Sequence, residues 1–177
     1  MKKNQRIIIS LVGLSLLAFC LCITPNLSIA DPGETEKSSI VKRPDFELLD
    51  MDGKLRNISE WDNKIVVIVF WAVWDPYSHR IFSSALVELQ DKYRDQGLQF
   101  VAISIHDDEG QVSDFLKDYT VNFPILIGVD KASKQMKDYG INATPTQVFI
   151  DRDGYIRHEQ RGFWDLVQIE SLIRDLL

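Results

Sequence analysis

Between Ile65 and Trp71 the chain reads IVVIVFW, seven residues without one polar side chain. The run is too short for a buried helix, and five of its residues are β-branched. It predicts a strand covered on both faces, the centre of an α/β sheet. Such a strand needs other strands along both edges and helices above and below.

The flanking sequence supplies them. Phe46 to Leu49 and Lys54 to Ile58 flank Asp50-Met51-Asp52-Gly53, a hairpin signal with a glycine available for positive φ. Asp75-Pro76 has the form of a helix start, an N-cap followed by proline at the first helical position. Ile81, Phe82, Ala85, Leu86, Leu89 and Tyr93 then recur at helical spacing up to Gly97. Leu98 to Ile105 predicts a second strand, and Val112, Phe115, Leu116 and Tyr119 a second helix. Pro124 to Ile127 and Ala132 to Tyr139 give a short strand and a helix. Thr146 to Ile150 and Tyr155 to His158 flank a second hairpin turn, Asp151-Arg152-Asp153-Gly154. Asp165 with Gln168 forms a capping box for a last helix, with Leu166, Ile169, Leu172, Ile173 and Leu176 facing inward. Two buried strands joined by a helix run parallel with a right-handed crossover, and the closing hairpin adds antiparallel strands. The fold class is α/β, a mixed central sheet with an N-terminal β-hairpin and helices on both faces.

Ahead of this domain, placed at residues 44–177, the sequence has a different character. Lys2, Lys3 and Arg6 precede the uncharged apolar run Ile7 to Ile23; Pro25 breaks it, and Ser28-Ile29-Ala30 places small residues at a cleavage position. Residues 1–30 read as a secretory signal peptide cut after Ala30 or, if retained, as an N-terminal membrane anchor through residues 7–23. Residues 31–43 are polar and read as a flexible linker. Either way the domain is exported, to the periplasm or the outer face of the cytoplasmic membrane. Cys20 and Cys22 are the only cysteines, and both lie in the apolar run. The domain has no thiol, although an exported compartment would permit disulfides. Three of the 20 basic residues lie in the first thirty, which hold no acid, so 17 bases remain against 26 acids. An acidic domain without a basic run excludes nucleic acid and anionic lipid as partners.

The stretch Pro44-Asp45-Phe46-Glu47-Leu48 with Asp52-Gly53-Lys54 resembles the opening hairpin of TlpA/ResA-like thioredoxins and peroxiredoxins. Phe70-Trp71-Ala72-Val73-Trp74 resembles the lead into their CxxC motif. Phe123-Pro124, Tyr139-Gly140-Ile141, Ala143-Thr144-Pro145-Thr146 and Phe149-Ile150-Asp151-Arg152-Asp153-Gly154 resemble the family's second half. The likeness runs from Pro44 to Leu177. It implies a thioredoxin-like fold, thiol–disulfide exchange as the family activity, and a cis bond at Thr144-Pro145 beside a groove for extended peptide. It also places the two active cysteines on Asp75 and Ser78, within Asp75-Pro76-Tyr77-Ser78. A carboxylate and a hydroxyl cannot serve as attacking thiolate and resolving thiol. The buried acid of thioredoxins falls on Val69, and a proline after the second cysteine falls on Ser83. The peroxiredoxin branch is closed as well, because it too needs a cysteine.

Asp75 has an ordinary role as a helix cap, worth about 0.5–2 kcal/mol, beside a second in which its charge imitates the thiolate. Ser78 has no base in place, since His79 is its neighbour along the helix and points elsewhere. Thr144-Pro145 either fixes the turn into Thr146 or also forms the groove wall. His79 and His106, with Asp107, Asp108 and Glu109, reach one rim of the sheet, but without thiols the soft ligands for a copper-type site are gone. Asp107 and Asp108 read as first-turn acids of the next helix, and His158 as a surface residue. No metal and no cofactor are expected. The resulting expectation is a non-catalytic module that binds an extracytoplasmic protein or extended peptide through Trp74, Asp75, Tyr77, Thr144 and Pro145. The alternative is the family's thiol–disulfide oxidoreductase activity, which the missing cysteine pair opposes. A third reading is a purely structural part of an assembly, which exposed aromatics at the rim would oppose.

Overall fold

The computed structural model describes residues 41–177 apart from Ser83. The leader with its two cysteines, the linker up to Ile40, the Ser83 position and the side chains of Ser84 and Ala85 lie outside the described residues.

An eight-stranded sheet organises the domain. In chain order the strands are β1 (Val41–Lys42), β2 (Glu47–Asp50), β3 (Leu55–Asn57), β4 (Ile65–Trp71), β5 (Leu98–Ser104), β6 (Ile125–Ile127), β7 (Thr146–Ile150) and β8 (Tyr155–Arg161). The helices are α1 (Pro76–Ile81), α2 (Ser84–Tyr93), α3 (Glu109–Leu116), α4 (Val129–Asp138) and α5 (Leu166–Leu176). The spatial order β1-β8-β7-β4-β5-β6-β2-β3 puts the IVVIVFW run at the centre. β4 pairs in parallel with β5 and antiparallel with β7, as the sequence predicts.

All seven residues of β4 are buried, and they alternate between two cores. Ile65, Val67, Val69 and Trp71 face a layer that includes Ile81, Phe82, Leu86, Leu89, Phe115, Ile169 and Ile173, from α1, α2, α3 and α5. Val66, Ile68 and Phe70 face the opposite layer with Leu48, Trp61, Ala132, Tyr139 and Ile141. In that second layer the buried Tyr139 hydroxyl donates to Pro44 O at 2.9 Å, and burial holds its pKa above the ordinary phenol range. Each large apolar side chain buried in these layers contributes about 1.5–3 kcal/mol.

The two hairpin turns have the same construction. Asp50 Oδ1 accepts from the backbone N–H groups of Asp52 and Lys54, and Asp151 Oδ1 from those of Asp153 and Tyr155, at 2.9–3.0 Å. Gly53 and Gly154 take φ of 73° and 81°, which closes each turn without Cβ strain. The capping box of Asp165 and Gln168 is present, with a second at Asp108 and Gln111.

Three features differ from the sequence expectation. Strand pairing begins at Val41, which lies opposite Ile156 of β8, so the last residues assigned to the linker belong to the sheet. The helix expected from Asp75 to Gly97 is divided, α1 ending at Ile81 and α2 beginning at Ser84. His158 is half-buried rather than at the surface: it lies opposite Phe149 on β7, with ring centroids 5.8 Å from Phe149 and 5.4 Å from Trp164.

Gln90 of α2, 1% exposed, does the work of a missing strand. The outer edge of β5 is covered by β6 only at Ala102 and Ile103. Nearer its start, Gln90 Nε2 donates to Leu98 O at 3.0 Å and Gln90 Oε1 accepts from Phe100 N–H at 2.7 Å. Removing the amide strands one buried donor and one buried acceptor. Gln90→Leu is therefore expected to cost about 2–4 kcal/mol, read as a lower urea midpoint with an unchanged m-value; Gln90→Glu, which keeps the acceptor alone, should also destabilise.

Candidate functional site

The rim at the C-terminal end of β4 gathers most of the residues singled out from the sequence. The β4–β7 ladder ends at the pair Phe70–Thr146. The segments leaving that pair, Ala72–Trp74 after β4 and Thr144-Pro145 before β7, therefore emerge side by side, one strand spacing of about 4.8 Å apart. The Thr144–Pro145 bond is cis. Pro145 is buried, and its carbonyl accepts from Gly162 N–H at 2.7 Å, while Thr144 is half-exposed outside the ladder.

Asp75 and Ser78 both stand at the start of α1, and each has a structural partner. Asp75 is the N-cap: Oδ1 accepts from Tyr77 N–H at 2.9 Å. Its other oxygen, Oδ2, is buried without a hydrogen-bond partner among the described residues, and the residue as a whole is 4% exposed. Ser78 is fully buried, and its Oγ accepts from Ala72 N–H at 3.3 Å. Among the described residues no base is hydrogen-bonded to it. His79 turns instead to the loop, with Nε2 3.1 Å from Val73 O and Nδ1 3.1 Å from the Tyr119 hydroxyl.

Trp74 and Tyr77, next to these residues in the chain, are 67% and 55% exposed. They are the two most exposed aromatic side chains among the large apolar residues at the surface. Two exposed rings on a rim that also carries the half-exposed Thr144 make a surface suited to polypeptide.

Beneath the rim, Val69 is fully buried and pairs with Gln147 of β7. Gln147 is also fully buried; its Nε2 donates to Gly162 O at 3.3 Å and its Oε1 has no partner among the described residues. A polar side chain thus sits one strand away from the position where the resemblance implies an acid, and it is an amide, which neither takes nor gives a proton near neutral pH.

Two residues have roles the sequence reading did not give them. Asp107 is not a first-turn acid of α3, whose cap is Asp108. It turns back, 1% exposed, and its Oδ2 accepts from Val73 N–H at 2.8 Å and from Ser104 Oγ at 2.5 Å. His106 has φ 65°, and its Nδ1 lies 3.1 Å from Ser133 Oγ. Among the described residues no three His, Cys, Asp or Glu side chains come together as a metal site, and no helix is long and apolar enough to cross a membrane.

The two roles of Asp75 separate by substitution. Asparagine keeps the Oδ1 acceptor for Tyr77 and removes a buried, half-satisfied charge, so Asp75→Asn should stay within about 1 kcal/mol of wild type. Asp75→Ala loses the cap and should cost about 1–2 kcal/mol. Urea unfolding of both variants checks this.

Comparison with known proteins agrees with this architecture. The Redoxin family model matches residues 40–169. The thiol-disulfide oxidoreductase ResA of Bacillus thuringiensis subsp. konkukian is 28% identical over 177 residues, covering 99% of each chain. Among solved structures, a Chlorobium tepidum protein described as a thiol:disulfide interchange protein DsbE superposes with a TM-score of 0.72 at 27% identity, over 77% of this chain and 96% of that one. A secreted Mycobacterium tuberculosis disulfide oxidoreductase gives 0.65 at 20% identity, over 74% and 96%, a likeness of fold. With a family match over well more than half its length and a thioredoxin-like sheet, the chain belongs to the Redoxin family, among its TlpA/ResA-like thioredoxin-fold members.

Proposed function

We propose that this protein is an exported thioredoxin-fold binding module that has lost the redox chemistry of its family and holds an extended polypeptide at the Trp74–Thr144 rim. One observation carries the reading: two exposed aromatic side chains, Trp74 and Tyr77, stand at a helix start whose Asp75 and Ser78 fall where the resemblance puts the family's thiols. Asp75 accepts hydrogen bonds but cannot attack sulfur, and Ser78 is engaged with Ala72 N–H. Where the resemblance implies a buried acid the chain has Val69, paired with the amide side chain of Gln147. Only Cys20 and Cys22 remain, in the apolar run Ile7 to Ile23, which is read as an export signal or anchor. The helix start and the cis-proline segment leave the same end of the β4–β7 ladder, which supports a peptide groove there. Backbone hydrogen bonding from Thr144 and apolar contact with Trp74 and Tyr77 then supply affinity.

The family activity, thiol–disulfide exchange, is the rival reading, and one pair of measurements separates the two. The protein should reduce insulin with dithiothreitol no faster than buffer. The double variant Asp75→Cys with Ser78→Cys should form a disulfide and accelerate insulin reduction, because residues three apart at a helix start have Cβ atoms about 5–6 Å apart, close enough to bridge after small adjustment, and a helix N-terminus favours thiolate. Turnover by the unaltered protein would refute the reading. For binding, reduced and carboxymethylated ribonuclease A serves as a permanently unfolded probe. Trp74→Ala should weaken its binding about tenfold with circular dichroism unchanged; equal binding by Trp74→Ala and Tyr77→Ala would move the recognition face elsewhere.

A further inference from the structure

The segment that presents Trp74 is unusually well held for a surface loop. Ala72 N–H donates to Ser78 Oγ, and Ala72 O accepts from Asp75 N–H at 3.2 Å. Val73 N–H donates to Asp107 Oδ2, and Val73 O lies against His79 Nε2. All four backbone groups between β4 and Trp74 are therefore bonded, and the two on Val73 are bonded by side chains from other parts of the molecule. Resting on the recognition reading above, we propose that Asp107 and His79 are positioning residues: they clamp Val73 and so fix the direction in which Trp74 meets an extended polypeptide.

The chemistry of each partner suits the task. Asp107 Oδ2 receives two donors, Val73 N–H at 2.8 Å and the Ser104 hydroxyl at 2.5 Å, inside a site that excludes solvent. Ser104 ends β5, and so ties the loop to the sheet. A carboxylate accepting two bonds in a dry site makes strong, directional, charge-assisted contacts. On the other side, Val73 O can only accept, so His79 donates to it through Nε2–H, while Nδ1 lies 3.1 Å from the Tyr119 hydroxyl. The imidazole is steadied by Phe115, whose ring centroid lies 4.7 Å away edge-on, and Phe115 stacks on Tyr119 at 4.6 Å. The clamp thus spans the end of β5, α1, α3 and the turn that follows α3. Trp74, the next residue, has no comparable burial and depends on Val73 for its direction.

The test uses protein labelled with 5-fluorotryptophan, in which Trp61, Trp71, Trp74 and Trp164 give four fluorine signals. The Trp74 signal is identified by its loss in Trp74→Phe. In Asp107→Ala and in His79→Ala, without any ligand, the Trp74 signal is expected to shift and sharpen while Trp61 and Trp164 hold their positions. The affinity for reduced, carboxymethylated ribonuclease A should fall about tenfold, the scale of one hydrogen bond to a charged group. His79→Gln, which keeps a donor near the Nε2 position, should recover binding to within about threefold. His79 is exposed, so its variants fold even if Asp107→Ala does not. A Trp74 signal that stays in place in His79→Ala, or in both variants, overturns the clamp. Failure of the unaltered protein to bind the probe overturns the recognition reading instead, and the ligand-free spectra still decide whether the clamp exists.

Discussion

A strand with no exposed side chain must be paired on both edges and covered on both faces, and meeting those demands for β4 determines where everything else goes. Alternation along IVVIVFW sends four side chains into one layer and three into the other. The helices are assigned to faces by which layer they complete. The strand also ends at Trp71, fully buried, with ring centroids 4.4 Å from Phe82 and 4.8 Å from Phe115. That aromatic stack is the floor of the site: it fixes the exit of β4 against α1 and α3, and the loop beginning at Ala72 starts from an immobile point. Dense packing is what lets a buried strand transmit position to a surface residue three places away.

On that floor, Asp75 and Ser78 each have a structural role. An N-cap is a demand of the backbone, and aspartate meets it with one oxygen while its charge favours the helix start. A small acceptor at Ser78 meets the orphan N–H of Ala72. Both requirements are local and independent of sulfur. The proposed loss of exchange chemistry therefore needs no rearrangement of the rim.

How much of this was legible in the sequence depends on range. Asp75, the Asp165–Gln168 box and the two Asp-x-Asp-Gly turns are decided within four or five residues, and their side chains do what the pattern implies. The bounds of β4 match the apolar run residue for residue. What the sequence hid is made of pairings between distant segments. Gln90 reads as one more polar helix residue until β5 is seen to lack a neighbour at Leu98 and Phe100. Asp107 is indistinguishable from a first-turn acid until Val73, 34 residues earlier, arrives beside it. His158 reads as surface because its neighbours in β8 are polar, and Phe149 and Trp164 make it half-buried. Val41 and Lys42 carry no strand signal of their own; the open edge of β8 recruits them. The family resemblance located the rim, because it encodes long-range proximity that periodicity does not, but it said nothing of the residues that hold the rim in shape.

An exposed tryptophan alone is weak evidence of recognition, since most protein surfaces carry scattered apolar residues. The argument here rests on the contrast between the side chain and its backbone. Trp74 is two-thirds exposed, yet the two residues before it have every backbone polar group satisfied, three of those bonds by the side chains of Ser78, His79 and Asp107. A loop whose only task was to connect β4 to α1 would have no reason to be held so firmly by side chains from elsewhere. A loop that must offer a large apolar surface in one orientation gains from it, because ordering a flexible segment on binding costs about 0.5–1.5 kcal/mol for each mobile side chain and more for the backbone. Fixing Val73 in advance places that cost in the fold, where the packing of Trp71, Phe82 and Phe115 offsets it, so contact with Trp74 can appear as affinity.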